Sequence, residues 1–445
     1  MAYPRILVSS LIASGAAAHG GPVVSRRQAA ALRRRGFDVL HVAPRGEPIA
    51  SDPVKVEIYA TGASPRDPSA SKRYDAIAVA SLRGLIERFR PHVVYDVHGP
   101  AWAVDAASSA GVPVVSMVGD YNWFCMQSFL VDHRLERCSG PGNGEKCFGC
   151  VNKWHRFPRR VVHNALKPAA KAGIVTLPIW QKLTEATDYL ARMRSQIATF
   201  VVGDRKAYEF LLEHGIAAAK IARITQGLPA KALIARPRPE GAAPDGRRLR
   251  FGFVGRADLD KGLRVLARAF DSLPREMPAE LWIVHRQEAT YDHLRGLFPS
   301  RHRFAADLES GRIRLHRPAT QDQVFELMAQ IDVGVVPSLA FESPCLALLE
   351  FVAQGTPIVR SESQGMQHII QDGVNGLTFP YGDWRALARA ISDIVADTTL
   401  IARWRAALPR ITDDDEYARQ LEQVFEPFCP ARAATSTTKR ELIDA

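Results

Sequence analysis

Short apolar runs rich in Val, Ile and Leu alternate along this chain with longer segments whose apolar residues recur at helical spacing. In the first half RILVSS (5–10), FDVLHVA (37–43), HVVYDV (92–97) and VPVVSMV (112–118) read as strands, with helices between them at 22–35, 74–89 and 101–110. A stretch rich in Pro, Gly, Ala and Arg (232–250) interrupts the pattern, which then restarts. LRFGFVG (249–255), ELWIVH (280–285), IRLHRP (313–318), VGVVPS (333–338) and PIVRS (357–361) are strands, with helices at 261–273, after Thr320 and after Pro344. Thr320 with Gln323 fits a capping box. Such alternation predicts parallel strands joined by helical crossovers, hence an α/β chain of two doubly wound domains. The expected division is 1–228, carrying a Cys-rich insert at about 120–172, a linker at 229–248, a second domain at 249–410, a helix at 411–429 returning to the first domain, and a flexible tail at 430–445. Open α/β sheets bind ligands beyond the carboxyl ends of their strands, so the default site is the cleft between two such domains.

Bulk properties narrow this plan modestly. The length of 445 residues, with 47% hydrophobic and 24% charged positions, suits a folded protein of two or three domains. No apolar run is long enough to cross a bilayer, and MAYPRILVSS lacks the order of a signal peptide, so the expected location is cytoplasmic. A net charge of +11 asks for an anionic partner: a nucleotide, a nucleic acid or an acidic membrane surface.

Candidate chemistry gathers at three helix starts suited to an oxyanion. HGGPVV offers Gly20 and Gly21, where a ligand can approach backbone N–H groups ahead of Pro22, although a plain tight turn explains them equally well. In FVGRADLDKG, Gly255 and Arg256 precede Lys261, and two cations there would neutralise a diphosphate, unless they are merely solvated. In SLAFESPCLALLEFVAQGTPIV, Ser343 and Pro344 read as an N-cap and first helical residue, leaving N–H groups near Pro344, Cys345 and Leu346. Glu342 precedes that helix and Glu350 lies inside it among apolar neighbours, where a structural salt bridge is the plain alternative to a ligand.

In this order and spacing, GRADLDKG, the Glu342/Glu350 pair and IIQDGVNGLTFPYGD resemble the retaining glycosyltransferases of GT-B type, glycosyltransferase family 4 (group 1), over most of residues 5–410. The resemblance implies two Rossmann-like domains facing a cleft, and transfer of a sugar from a nucleotide-sugar donor to the hydroxyl of a carbohydrate or lipid-linked acceptor. Arg256 and Lys261 would bind the diphosphate, Glu350 the ribose and Glu342 the sugar. Amides from Pro344 to Leu346 would touch the donor, Gly21 would approach the phosphate, and no catalytic metal is expected. Where relatives carry a His-Asp pair after the fourth strand of the first half, this chain has Gly119 and Asp120; His98, at another strand end, is the candidate substitute. Similarly, SQGMQHII has Gln367 and His368 where a Glu is usual.

Two features stand beside that site. Cys125, Cys138, Cys147 and Cys150 admit a structural zinc, free thiols or a redox pair. The segment 153–171 interleaves Lys and Arg with apolar residues, which suits either an anionic membrane surface, giving a peripheral location at its inner face, or a solvated helix face. Two other functions remain open. A GT-B nucleotide-sugar epimerase would share the architecture, and a zinc-stapled nucleic-acid-binding protein would explain the charge but not the twin domains, so no nucleic acid is expected.

Overall fold

The computed structural model describes residues 3–12, 20–46, 54–64, 70–132, 134–141, 144–152, 157–234, 236, 247–285, 290–343, 345–362 and 365–429. The chain forms two compact units, Met1–Gln226 with Asp414–Ala445, and Gly227–Asp413. The first holds β1 (Arg5–Ser9), α1 (Gly20–Arg34), β2 (Asp38–Ala43), β3 (Val56–Ile58), α2 (Ala76–Phe89), β4 (Val93–Val97), α3 (Ala101–Ser109) and β5 (Val114–Val118). It continues through α4 (Gly144–Asn152), α5 (Phe157–Lys171), α6 (Pro178–Gln196), β6 (Thr199–Val202), α7 (Arg205–Glu213) and β7 (Ile221–Arg223). Its strands lie in the order β3-β2-β1-β4-β5-β6-β7, all parallel. Every residue of β4 and β5 is buried, as the unbroken apolar runs of a two-sided parallel sheet require.

The second unit holds β8 (Leu249–Val254), α8 (Leu263–Ser272), β9 (Ala279–Val284), α9 (Tyr291–Leu297), α10 (Arg301–Glu309), β10 (Ile313–His316), α11 (Gln321–Gln330) and β11 (Val333–Val336). After these come α12 (Leu346–Ala353), β12 (Ile358–Ser361), β13 (Gly376–Phe379), α13 (Trp384–Ala396) and α14 (Thr399–Ala406). The strand order is β10-β9-β8-β11-β12-β13, again all parallel. On α8, Leu263, Leu266 and Phe270 are wholly buried against this sheet, each contributing about 1.5–3 kcal/mol by leaving water. The chain then returns to the first unit as α15 (Asp414–Phe425), whose Tyr417 hydroxyl meets that of Tyr95 at 3.1 Å and whose Phe425 ring packs edge-on against Phe37 and Tyr95.

Two local expectations shift. The capping box at Thr320 and Gln323 forms as read. The helix after it in the motif segment does not start at Pro344: α12 begins at Leu346 with Cys345 in the cap position and no side-chain capping bond, while Pro344 lies outside the described residues. Likewise α1 starts at Gly20, two residues before Pro22, because the Gly-Gly pair itself adopts the first helical turn.

Candidate functional site

In each sheet the chain runs outward from one central strand in one direction and from its neighbour in the other, β1 against β4 and β8 against β11. These are the two switch points, where loops diverge beyond the strand ends and leave room for a ligand. Gly21 and His98 follow β1 and β4, and Gly255, Arg256, Lys261 and Glu342 follow β8 and β11.

At the switch point of the second unit, the loop after β8 and the loop after β11 are stitched together by one carbonyl. Asp260 O accepts from Leu339 N (2.8 Å), Ala340 N (2.9 Å) and the Ser338 hydroxyl (3.2 Å). Gly262 follows with φ 72°, and a Cβ there would overlap the Pro337 carbonyl, so glycine is required both for the turn and for this close approach. The clamp brings Lys261 onto Glu342, the ammonium touching Oε1 of the carboxylate. Burial pulls the Lys261 ammonium below its ordinary range, opposed by Cys345, Asp260 and Asp258 and reinforced by Arg256. The Arg256 guanidinium is held by Asp258 at 2.7 Å and Asp260 at 3.5 Å. The two cations expected to meet a diphosphate are therefore already neutralised by three carboxylates. Two of these, Asp258 and Asp260, were not singled out, although both stand inside the motif.

Glu350 lies on α12, where its Oε1 accepts from the Gln321 side chain at 3.1 Å. Gln321 opens α11, so the two helices fix this carboxylate between them. Cys345 is buried, and burial pushes its thiol up. The Cys345 thiol sits against the amides of Ala347 and Leu348, which leaves that of Leu346 at the open end of α12. Of the three amides proposed from sequence, Pro344 can supply none, since proline has no N–H. Gln367 and His368 are exposed on the turn after β12.

The switch point of the first unit gathers Gly21, His98, Gly119 and Asp120. His98 stands just past β4 with φ 55°, a left-handed conformation uncommon outside glycine. Its ring lies 3.5 Å from where a Cβ on Gly21 would stand, and a side chain on Gly119 would overlap the ring. The missing histidine and the strained one are thus one fact: the room that a residue at 119 would need is filled by His98. Nδ1 of His98 is 3.5 Å from Oδ1 of Asp120. Burial alone would lower the His98 pKa, but Asp120 and Asp96 raise it overall, and the imidazole in turn, with Lys72, holds the Asp120 carboxyl low.

Beneath this turn is a polar layer that sequence reading missed. Ser9, Asp96 and Ser116 lie in register across β1, β4 and β5. Ser116 donates to Asp96 Oδ2 at 2.8 Å and receives the Trp123 indole N–H at 2.9 Å. Asp96 Oδ1 and the Ser9 hydroxyl are buried against the Gly99 backbone, whose N–H leans on the Asp96 carboxyl, and a Cβ on Gly99 would overlap Asp96 Oδ1. Burial pushes the Asp96 carboxyl up to about 7. A polar residue ending an apolar strand was the available signal.

The cysteines of the insert form no disulfide, and among the described residues no three His, Cys, Asp or Glu group as a metal site. Cys147 and Cys150 ride on α4, and the Cys138 thiol donates to Gly140 O at 3.7 Å. The cation near Cys125 and Cys147 is the buried Lys72 ammonium, which donates to Cys125 O (2.6 Å), Met126 O (3.0 Å) and the Ser128 hydroxyl (3.0 Å). Of the basic segment, residues 153–156 lie outside the described residues; the rest forms α5. Among the described residues no helix is long and apolar enough to cross a membrane.

Two family models match the chain. "Glycosyl transferases group 1" covers residues 248–397 and "Glycosyl transferase 4-like domain" covers 19–142. The chain is 38% identical over 151 residues to the lipopolysaccharide core biosynthesis glycosyltransferase LpsE of Rhizobium meliloti, a match over 34% of this chain and 40% of that one. It is 30% identical over 208 residues to the phosphatidyl-myo-inositol mannosyltransferase of Mycolicibacterium smegmatis, covering 46% and 51% of the two chains. The match thus spans about half or less of the length of these curated relatives. Among solved structures, Anabaena HepE in complex with UDP superimposes with a TM-score of 0.61 at 15% identity, over 95% of this chain and all of that one.

Proposed function

We propose a reaction for a chain that belongs to the group 1 glycosyl transferases of GT-B fold: transfer of a sugar, with retention, from a nucleotide-sugar donor to an acceptor hydroxyl in lipopolysaccharide or glycolipid assembly. The observation that carries the reading is the contact between Lys261 and Glu342 beside Arg256 at the switch point of the second unit.

In the proposed mechanism the donor diphosphate takes Lys261 from Glu342 and shares Arg256 with its aspartates. Released from the ammonium, Glu342 accepts from the sugar hydroxyls, and Glu350, steadied by Gln321, accepts from the ribose. As the bond from the sugar to the phosphate breaks, the acceptor oxygen bonds to the same face of that carbon, and negative charge grows on the leaving diphosphate, which takes the acceptor hydroxyl's proton. Arg256, Lys261 and the amides of Cys345 and Leu346 stabilise it with dipoles and charges fixed in advance. These cations do the work for which other sugar transferases use a divalent ion, so no catalytic metal is required. In the first unit, Gly21 admits the acceptor or phosphate to the start of α1, and His98, oriented by Asp120, contacts the acceptor. A lipid-linked acceptor places the enzyme at the inner membrane surface, with the basic segment 153–171 toward anionic lipid.

A thermal-shift panel of UDP-, GDP-, ADP- and dTDP-sugars tests the donor assignment, since a ligand of the native state raises its melting temperature. One nucleotide class should shift the native protein, and Glu350→Ala and Lys261→Ala should abolish that shift. Variants that respond like the native protein would sink the assignment, and conversion of donor without any acceptor would assign epimerisation instead.

A further inference from the structure

We propose that the outward face of α5 and the turn after it dock onto an anionic lipid bilayer, apolar side chains inserted and flanking cations on the headgroups. This rests on the membrane-surface reading above and assigns it to particular side chains. A surface helix ordinarily turns its apolar stripe toward the core. Among the described residues of α5 the buried apolar side chain is only the small Ala170, and polar side chains make the bonds to α4. Buried Asn152 of α4 accepts from the His163 ring at 2.8 Å and donates to Asn164 Oδ1 at 2.9 Å. Glu145 pairs with Lys167 at 3.4 Å and Lys171 at 2.7 Å, and the Lys167 ammonium lies 5.6 Å from the centre of the Phe148 ring.

At 3.6 residues per turn, the opposite arc carries Val161, Val162 and Leu166. They are 49%, 53% and 38% exposed, and the turn beyond the helix adds Ile174 at 76% and Val175 at 37%. Among the described residues, five of the fourteen exposed large apolar side chains therefore fall within fifteen consecutive positions, a patch and not a scatter. The charge around it selects the occupant. From 157 to 176 there is no Asp or Glu, while Arg159 and Arg160 are exposed. A second copy would bring the same cations against each other, whereas an anionic bilayer supplies both an apolar interior and the opposite charge.

Flotation of the full chain with vesicles of phosphatidylcholine, alone or mixed equally with phosphatidylglycerol, tests the surface. The native protein should float with the anionic vesicles and stay behind with the neutral ones. Arg159→Gln with Arg160→Gln should weaken partition roughly 30-fold, about 1 kcal/mol for each cation. Val162→Asp with Leu166→Asp should weaken it by at least about tenfold, since two inserted side chains are lost. Equal flotation on both vesicles, or aspartate variants that float like the native protein, would overturn the proposal. So would a dimer of the native chain that the aspartate variants dissociate, which assigns the face to a second copy. The nucleotide-sugar thermal shift of the same proteins separates the readings. A normal shift without flotation rejects the docking surface and leaves sugar transfer standing; flotation without any shift does the reverse. Should the aspartate pair fail to fold, the arginine pair and the native comparison decide.

Discussion

The contact between Lys261 and Glu342 makes each residue the other's counter-ion, a pair that the proposed donor would part. That dual role separates two substitutions. Lys261→Ala removes the cation that the proposed mechanism sets on the diphosphate and leaves Glu342 without its partner, so both donor affinity and turnover should fall, turnover by on the order of 10²–10³-fold. Glu342→Gln frees the ammonium instead. Binding of the bare nucleoside diphosphate should then tighten or hold while transfer slows, as read by calorimetric titration beside a turnover assay. Equal weakening of the diphosphate by both variants would show that Glu342 does not compete for Lys261. In the first unit, Gly119→Ala should push the His98 ring off its site, abolishing transfer while the donor shift is kept. Asp96 supplies a pH test. Its folded pKa of about 7 lies above its ordinary 3.8, so the folded state holds a proton that the unfolded chain has released, and stability falls as pH rises through that window. The slope is about 1.4 kcal/mol per pH unit, levelling off above the folded value. Asp96→Asn removes this dependence, so its melting temperature should gain on the native protein from pH 4 toward pH 7; a constant difference across that range would contradict the burial argument.

At the scale of elements, the turn between β8 and α8 does more than connect them. A side chain at Gly262 must leave the left-handed conformation and clear the Pro337 carbonyl, which would part the loops that Asp260 O ties together. Gly262→Ala should cost on the order of 1–3 kcal/mol of stability and weaken nucleotide binding together with it; a stable variant with native donor affinity would show that the loops are held otherwise. Much of this was legible in the sequence. The strand-helix alternation places β1, β4, β8 and β11, and the motifs stand just past the ends of those strands. What stayed hidden was pairing. Lys261 and Glu342 are 81 positions apart, and spacing along a chain orders residues without saying which of them touch. The helix start at Ser343-Pro344 was misread because cap composition describes only local preference, while the tie to Asp260 O runs from another loop. Short strands such as Val56–Ile58 and Ile221–Arg223 carry too few residues for any period to register. His98 stood out as a candidate substitute by its strand-end position, but that its ring fills the room beside Gly119 depends on a contact between two strand ends that spacing does not show.

At the scale of the molecule, the first unit is completed by a helix that the chain reaches only after building the second. α15 seals α1 and the sheet: Asp414 grips Arg27 through two bonds of 2.7 and 2.9 Å, Arg35 meets Glu422 at 2.5 Å, and Tyr417, Leu421 and Phe425 are buried. Ending the chain at Asp413 would strip three large apolar side chains from that core, a loss of roughly 5–9 kcal/mol on the usual burial scale. It would also remove the contacts that Arg27, Tyr95 and Phe37 make with α15. A domain is commonly stable by only about 5–15 kcal/mol, so the first unit should unfold or melt far earlier. The second unit ends before the cut and keeps its sheet, the clamp at Asp260, and Arg256, Lys261, Glu342 and Glu350. Calorimetry of the shortened chain should therefore show one lowered transition and one preserved, with the nucleotide-sugar shift following the preserved one and sugar transfer lost. If the nucleotide shift vanished with the first unit, donor binding would depend on both units, and the second-unit site would have to be assigned again.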